Sequence, residues 1–392
     1  MFGRKYVSLV CLAGLFCNAA AHAVELTPLE ELGKKIFFDT NLSAPAGQAC
    51  ASCHAPQVGF SGPDSKTNLN TAVYSGAIHS RFGNRKPPTA AYGGDSSVLY
   101  FDPFEGLWLG GMFFDGRATG WTLGDPLAEQ AQKPFLNPLE QNLSDEVLVC
   151  AKVALSNYAG LFRKVWGPGS LNFLSNTDLM YERIVRSIAA YERSAEVNPF
   201  TSKYDYFLKG KAQLTKQEAQ GLELFNGKAL CSACHISEPG PNGEPPLFTD
   251  FSYDNLGIPK NPNNPFYTMP SQWNPDGADW IDPGLGGFLK NEGFPAEVYE
   301  GEWGKHRVST LRNVDKRPSS TFVKSYGHNG FFKSLKEIVH FYNTRDVEAW
   351  APPEVPQTMN TDELGNLGLT SAEEDAIVAF MRTLSDGYRV NR

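Results

Sequence analysis

The sequence predicts an all-α protein of two similar domains with long ordered loops between the helices. Three observations predict it. A unit made of a capped helix, a short loop and a Cys-x-x-Cys-His pentad occurs twice, and a third capped apolar helix stands near the C-terminus. The 37 glycines and 27 prolines among 392 residues are also too many for helices alone, so the connections must be long.

Taken in order, the first element is an address. Arg4 and Lys5 precede an apolar run, Val7 to Phe16, too short for a membrane-spanning helix, and Ala21-His22-Ala23 has the small-x-small pattern of a cleavage site. Residues 1–23 therefore read as a signal peptide, with a mature chain starting near Val24 and a periplasmic destination. Cys11 and Cys17 leave with that segment, and neither follows the small residue of a lipoprotein signal. No later stretch reaches about 18 apolar residues, so no membrane span is expected in the mature chain.

Thr27-Pro28-x-Glu30 is an N-cap, a proline at N1 and a capping-box glutamate, opening a helix through Leu32, Ile36 and Phe37. Thr215-x-x-Glu218 repeats the box before Leu222, Leu224 and Phe225, and Thr370-x-x-Glu373 opens the apolar run Ala376 to Leu384. Asn198-Pro199 and the polar Lys209-Gly210-Lys211 break the pattern between the copies, which divides the mature chain into residues 24–200 and 201–392. A net charge of −8, from 35 Lys+Arg against 43 Asp+Glu, argues against nucleic acid as a partner.

Five of the seven cysteines remain. Four sit in Cys50-Ala51-Ser52-Cys53-His54 and Cys231-Ser232-Ala233-Cys234-His235. That spacing is the one c-type haem attachment needs: two thiols for thioether bonds to the vinyl groups, and a histidine beside them for the iron. A zinc site would need further Cys/His pairs, which the chain does not supply. Each domain then resembles a cytochrome c domain, its core built around one covalently bound haem c. Cys150, in the apolar run Val147 to Val153, reads as an inert core thiol.

Between and after the pentads stand Arg85-Lys86-Pro87-Pro88-Thr89, Phe114-Asp115-Gly116-Arg117, Glu129-Gln130-Ala131, Asn137-Pro138-Leu139-Glu140, Leu311-Arg312-Asn313-Val314 and His328-Asn329-Gly330. With these the chain resembles the bacterial di-haem cytochrome c peroxidase and MauG family over nearly its whole mature length. The resemblance implies that the N-terminal haem is the peroxidatic one, with Gln130, Pro134 and Glu140 on its open side. Glu140 would take a proton from hydrogen peroxide and return it to the leaving oxygen, as heterolytic cleavage requires. It implies an electron-transfer haem in the second domain. Ordinary members close that iron with a methionine fourteen residues after the histidine of the His-Asn-Gly motif. Here that position is Tyr342, as in MauG. A phenolate donor lowers the reduction potential and favours high-valent iron. The other reading of Tyr342 is an aromatic on an apolar helix face with Leu335, Ile338 and Val339; Met359, in a proline-rich stretch, is the nearest later thioether.

Three departures stand out. Phe114 occupies the place of an inter-haem tryptophan, with Trp108 and Trp121 as the substitutes nearby. His79 lies one residue out of register with the family's distal histidine and is either a removable sixth ligand or an ordinary loop residue. Lys86 stands where the family has a calcium-binding asparagine, with Asn84 two residues earlier as the remaining candidate for a calcium ion.

The expected function is a MauG-like, or MbnH-like, peroxidase. It would use hydrogen peroxide to oxidise a residue, such as a tryptophan, on a periplasmic partner protein. The alternatives are a conventional cytochrome c peroxidase fed by a cytochrome c or copper protein, and a non-enzymatic di-haem electron carrier. The resemblance also points to a homodimer.

Overall fold

The computed structural model describes residues 25–390. The expected signal peptide, its cleavage site, Cys11 and Cys17 lie outside the described residues. The N-terminal half runs through α1 (Pro28–Phe37), α2 (Ser65–Asn70), α3 (Pro126–Leu136), α4 (Glu146–Ala154), α5 (Ala159–Trp166) and α6 (Thr177–Arg193). The C-terminal half runs through α7 (Lys203–Leu208), α8 (Lys216–Asn226), α9 (Gly284–Asn291), α10 (Ala296–Tyr299), α11 (Leu335–Thr344) and α12 (Ser371–Arg382). Helices dominate, as expected of an all-α chain, with little strand beside them. Two small antiparallel ribbons are present, β1 (Tyr100–Asp102) with β2 (Leu107–Leu109), and β3 (Tyr253–Asp254) with β4 (His306–Arg307). They form where long loops double back and pair their own backbone groups.

All three expected capping boxes form, at Thr27/Glu30, Thr215/Glu218 and Thr370/Glu373. The helices that they open carry the two halves. α1 packs on α6 and α8 packs on α12, each through a glycine. A Cβ at Gly33 would run into the Ser187 carbonyl, and one at Gly221 into the Ala376 carbonyl. Only a bare Cα lets the backbones approach this closely. One apolar core extends from Leu32 to Val197 and a second from Tyr204 to Leu384. Cys150 is fully buried in the first, as a core thiol.

The Leu-Arg-Asn-Val and His-Asn-Gly segments join the halves. Arg312 is fully buried, donates to both oxygens of Asp205 (2.9 and 2.8 Å) and lies 5.3 Å from the Tyr92 ring centroid. The Tyr92 hydroxyl and the Asn313 side chain both donate to Asp386 (2.7 and 2.8 Å). Gly330, at φ 70°, comes so close to Ala72 that a side chain would collide with it.

Candidate active site

The two pentads share one local form. Cys50–Ser52 and Cys231–Ala233 are single 3-10 turns, which bring residues three apart onto one side. The His54 amide donates to the Cys50 carbonyl (3.0 Å) and the His235 amide to the Cys231 carbonyl (2.9 Å). In each imidazole Nδ1 faces a backbone carbonyl, Phe60 O at 3.2 Å and Phe248 O at 2.8 Å. Both phenylalanines are left-handed, at φ 55°, so the same turn is built twice to present that carbonyl. Donation from Nδ1 leaves Nε2 as the free lone pair, the tautomer an iron needs. Burial lowers the basicity of both histidines. It pushes the Cys53, Cys231 and Cys234 thiols up to about 12. All four pentad cysteines are free of disulfides. This set of donors fits two thioether-linked haems.

On the second side, a cavity of about 270 Å³ is lined by Cys231, Cys234, His235 and, from α11, Tyr342. The Tyr342 hydroxyl makes no hydrogen bond with the described residues. Burial, and then the neighbouring thiols, hold its pKa above the ordinary 10.0, so its phenolate requires a cation beside it. Leu335, Ile338 and Val339 line the same cavity, so Tyr342 shares the apolar face and faces the space beside His235 as well. Met359 is not among the lining residues. Met381 of α12 is, and sequence reasoning did not weigh it as a thioether near this site.

On the first side, Pro134 lies inside α3. Without an N–H it leaves the Gln130 carbonyl free of its helical bond. Gln130 and Pro134 are one turn apart on one face. The chain after α3 then folds back: Gln141 N donates to Pro134 O (3.1 Å) and Leu143 N to Phe135 O (2.9 Å). Glu140, half-buried, comes near Cys50 and Cys53, whose ionisation its charge opposes. Its Oε1 accepts from Asn137 Nδ2 (3.1 Å), and Ala77 N donates to its carbonyl (2.7 Å). Burial raises the Glu140 pKa against the opposing pull of Arg117 and Asn137. A raised carboxyl is suited to taking and returning a proton near neutral pH. His79 is exposed in the loop two residues past Ala77.

Glu192, on α6, was missed in the sequence. It is 4% exposed, its Oε2 has no partner, and burial pushes it up to about 8. It opposes ionisation of Cys50, so it lies against the first site. Counting five residues on from each crossing contact, Ser187 and Ala376, Glu192 stands where α12 has Met381. The internal repeat was the signal that could have found it.

Between the sites, Phe114 is buried at the cavity wall with its ring 6.4 Å from His306. Trp108 and Trp121 instead flank Phe294, away from the cavity lining. Arg85 joins the halves, donating to Asp115 (2.6 Å) and to both oxygens of Asp282 (2.6 and 2.7 Å). Burial alone would raise Asp282, but Arg85 and then His306 hold it well below the usual carboxylate range. His306 Nε2 stands 3.3 Å from Asp282 Oδ2, and His328 Nε2 3.6 Å from Glu354 Oε2, without a well-formed hydrogen bond. The ligand atoms of Asp282, His306 and His328 lie within 4.8 Å of one another. Their geometry does not suit an ion. The imidazoles stack with centroids 3.6 Å apart and planes at 9°, so their in-plane lone pairs run parallel rather than converge. The Asn84 carbonyl accepts from Asn264 Nδ2 (2.8 Å), and the Lys86 side chain lines the cavity wall two residues on. An ammonium there opposes a divalent ion, so this position disfavours calcium.

Paired thiols with a tethered imidazole, twice over in a helical chain, define a two-centre c-type haem protein. The comparisons agree. A family model for di-haem cytochrome c peroxidase matches residues 27–213. The methylamine utilization protein MauG of Paracoccus denitrificans is 33% identical, over 96% of this chain and 95% of that protein. The cytochrome-c peroxidase IdrP2 of Denitromonas iodatirespirans is 27% identical, over 91% and 81%. Among solved structures, the diheme peroxidase BthA of Burkholderia thailandensis superposes with a TM-score of 0.75 at 29% identity, covering 93% of this chain and 87% of that one. The chain belongs to the di-haem cytochrome c peroxidase and MauG family, and it is a di-haem peroxidase, an oxidoreductase. No described helix is long and apolar enough to cross a membrane.

Proposed function

We propose that the chain is a MauG-like peroxidase that oxidises a residue, such as a tryptophan, on a partner protein in the periplasm. The two cores are read as two haem domains, residues 24–200 and 201–392, with the His54 side peroxidatic. When bound, the haems accept two oxidising equivalents from hydrogen peroxide and hold them for the partner. Glu140 takes the proton from the peroxide and returns it to the departing oxygen; such a group contributes roughly 10²–10⁴-fold. Gln130 and Pro134 shape the face on which peroxide lies. Tyr342 would hold the second haem together with His235, its phenolate disfavouring the reduced state. His79, exposed at rest, serves as a loop residue in this reading.

The observation that carries the proposal is the Tyr342 hydroxyl, unbonded to protein and lining the same cavity as His235. The test is to add peroxide to the diferric protein and follow the haem spectra. A long-lived two-equivalent oxidised state without prior reduction supports the proposal. Reactivity only after half-reduction indicates a conventional cytochrome c peroxidase, and no reaction with peroxide indicates an electron carrier. In Tyr342→Phe the low-spin spectrum of the second haem must change; an unchanged spectrum refutes the phenolate and turns attention to Met381.

A further inference from the structure

The chain neutralises most of its deeply buried cations. Arg85 meets Asp115 and Asp282, and Arg312 meets Asp205. Lys324 donates to three carbonyls, those of Val58, Asn313 and Lys316, at 2.9 to 3.1 Å. Two cations at the inward end of the second cavity are different. The Lys86 ammonium has neither a hydrogen bond nor a carboxylate partner among the described residues, and it lies 5.8 Å from the Phe114 ring centroid. Among the described residues the Arg307 guanidinium has a long contact to Ser96 Oγ (3.5 Å), the Phe251 ring at 5.6 Å and no carboxylate partner. Both line the cavity that His235 and Tyr342 share. Burial lowers the basicity of both. Both are half-buried, and a cation withdrawn from water without a partner is destabilising, so such a pair marks the seat of an anion.

We propose that Lys86 and Arg307 form a carboxylate subsite at the inward end of this cavity, taking the two acid side chains of the porphyrin bound at His235. This rests on the haem reading above. Two cations match two carboxylates, and the apolar remainder of the wall (Leu335, Ile338, Val339, Ile377) suits the ring itself. Lys86 also lies near enough to His54 for its charge to disfavour the imidazolium there. It therefore stands as a fixed positive charge between the two centres, set over the Phe114 ring. A cation over that ring makes a phenyl radical cation still harder to form, so Phe114 separates the centres and is not a stepping stone.

The test uses the full holoprotein with haem content counted by the pyridine haemochromogen assay. In Lys86→Met the midpoint potential of the second haem should fall, because a positive charge that stabilises its reduced form is gone, while Lys86→Arg should stay near the unaltered protein. A Lys86→Met protein carrying two haems with an unshifted second potential overturns the inference, as does a shift confined to the first haem. Fewer than two haems in the unaltered protein would instead overturn the haem reading beneath it. If Lys86→Met does not mature, a crystal structure of the unaltered holoprotein decides. Lys86 Nζ within about 3 Å of a porphyrin carboxylate supports the subsite, and a gap too wide for a hydrogen bond overturns it.

Discussion

In the N-terminal half, the helix before the pentad crosses α6 at Gly33, and the pentad imidazole is tethered to Phe60. In the C-terminal half, the same helix crosses α12 at Gly221, and the imidazole is tethered to Phe248. The frames match down to the left-handed phenylalanine. The other side chains near the pentads do not. The first half presents a carboxyl, Glu140, on a loop folded back from α3; the second presents a phenol, Tyr342, on α11. Even the closing helices differ at one equivalent place, Glu192 against Met381. A shared scaffold thus presents each pentad in the same way, and the side chains set against it differ between the two halves.

The comparison breaks most sharply at Glu140. Glu140→Gln should slow the reaction with peroxide by roughly 10²–10⁴-fold while leaving the second haem's spectrum intact. Stopped-flow traces that match the unaltered protein would remove Glu140 from the proton's path. The same carboxyl sets a pH dependence. Only its ionised form accepts a proton, and burial raises it, so the rate should rise with pH through a midpoint above the ordinary 4.5. Glu140→Gln should flatten that limb.

The shared frame is tested by Gly33→Ala and Gly221→Ala. Each forces a methyl group against a carbonyl in a helix crossing, at a cost of about 3 kcal/mol, read as a fall in denaturation midpoint of its own half. A tolerated alanine at either site would show that the crossing is looser than its counterpart.

Glu192 separates the closing helices. Below pH 4.5 this carboxyl is protonated folded or unfolded, and it costs nothing. As pH rises toward about 8, the unfolded chain ionises first, so stability falls with rising pH across that window. Glu192→Gln should therefore stabilise the protein by about 4 kcal/mol at pH 8 and by little near pH 4. A stabilisation equal at both values would mean that ionisation is not the cause. The smallest effect belongs to Trp108→Phe. That ring lies outside the cavity lining, so electron exchange between the haems should continue at an unaltered rate, and a marked slowing would assign the relay to the Trp108 cluster.

Much of the frame was legible because it is local. Capping boxes bind residues three apart, C-x-x-C-H is five consecutive residues, and the repeat of both announced two halves. Glu140 and Tyr342 were proposed from counted offsets within single segments. His306, Arg307 and Lys86 carried no such signal, since their meaning depends on partners in other segments, Asp282 and His328 for His306, or on the lack of a carboxylate. The two ribbons escaped notice for a related reason: β3 and β4 are two residues each, too short for an alternating pattern.

The sequence by itself carried the reading of each pentad as an attachment point, because thioether and imidazole ligation need only neighbouring residues. The tertiary structure alone decided what faces those points. It stacked His306 on His328, placed Arg85 between carboxylates of both halves, left Lys86 and Arg307 without one, and moved Trp108 and Trp121 aside. Burial makes that difference physical: a charge or an aromatic ring acquires its pKa and its redox role from the atoms packed around it, and long-range folding selects those atoms.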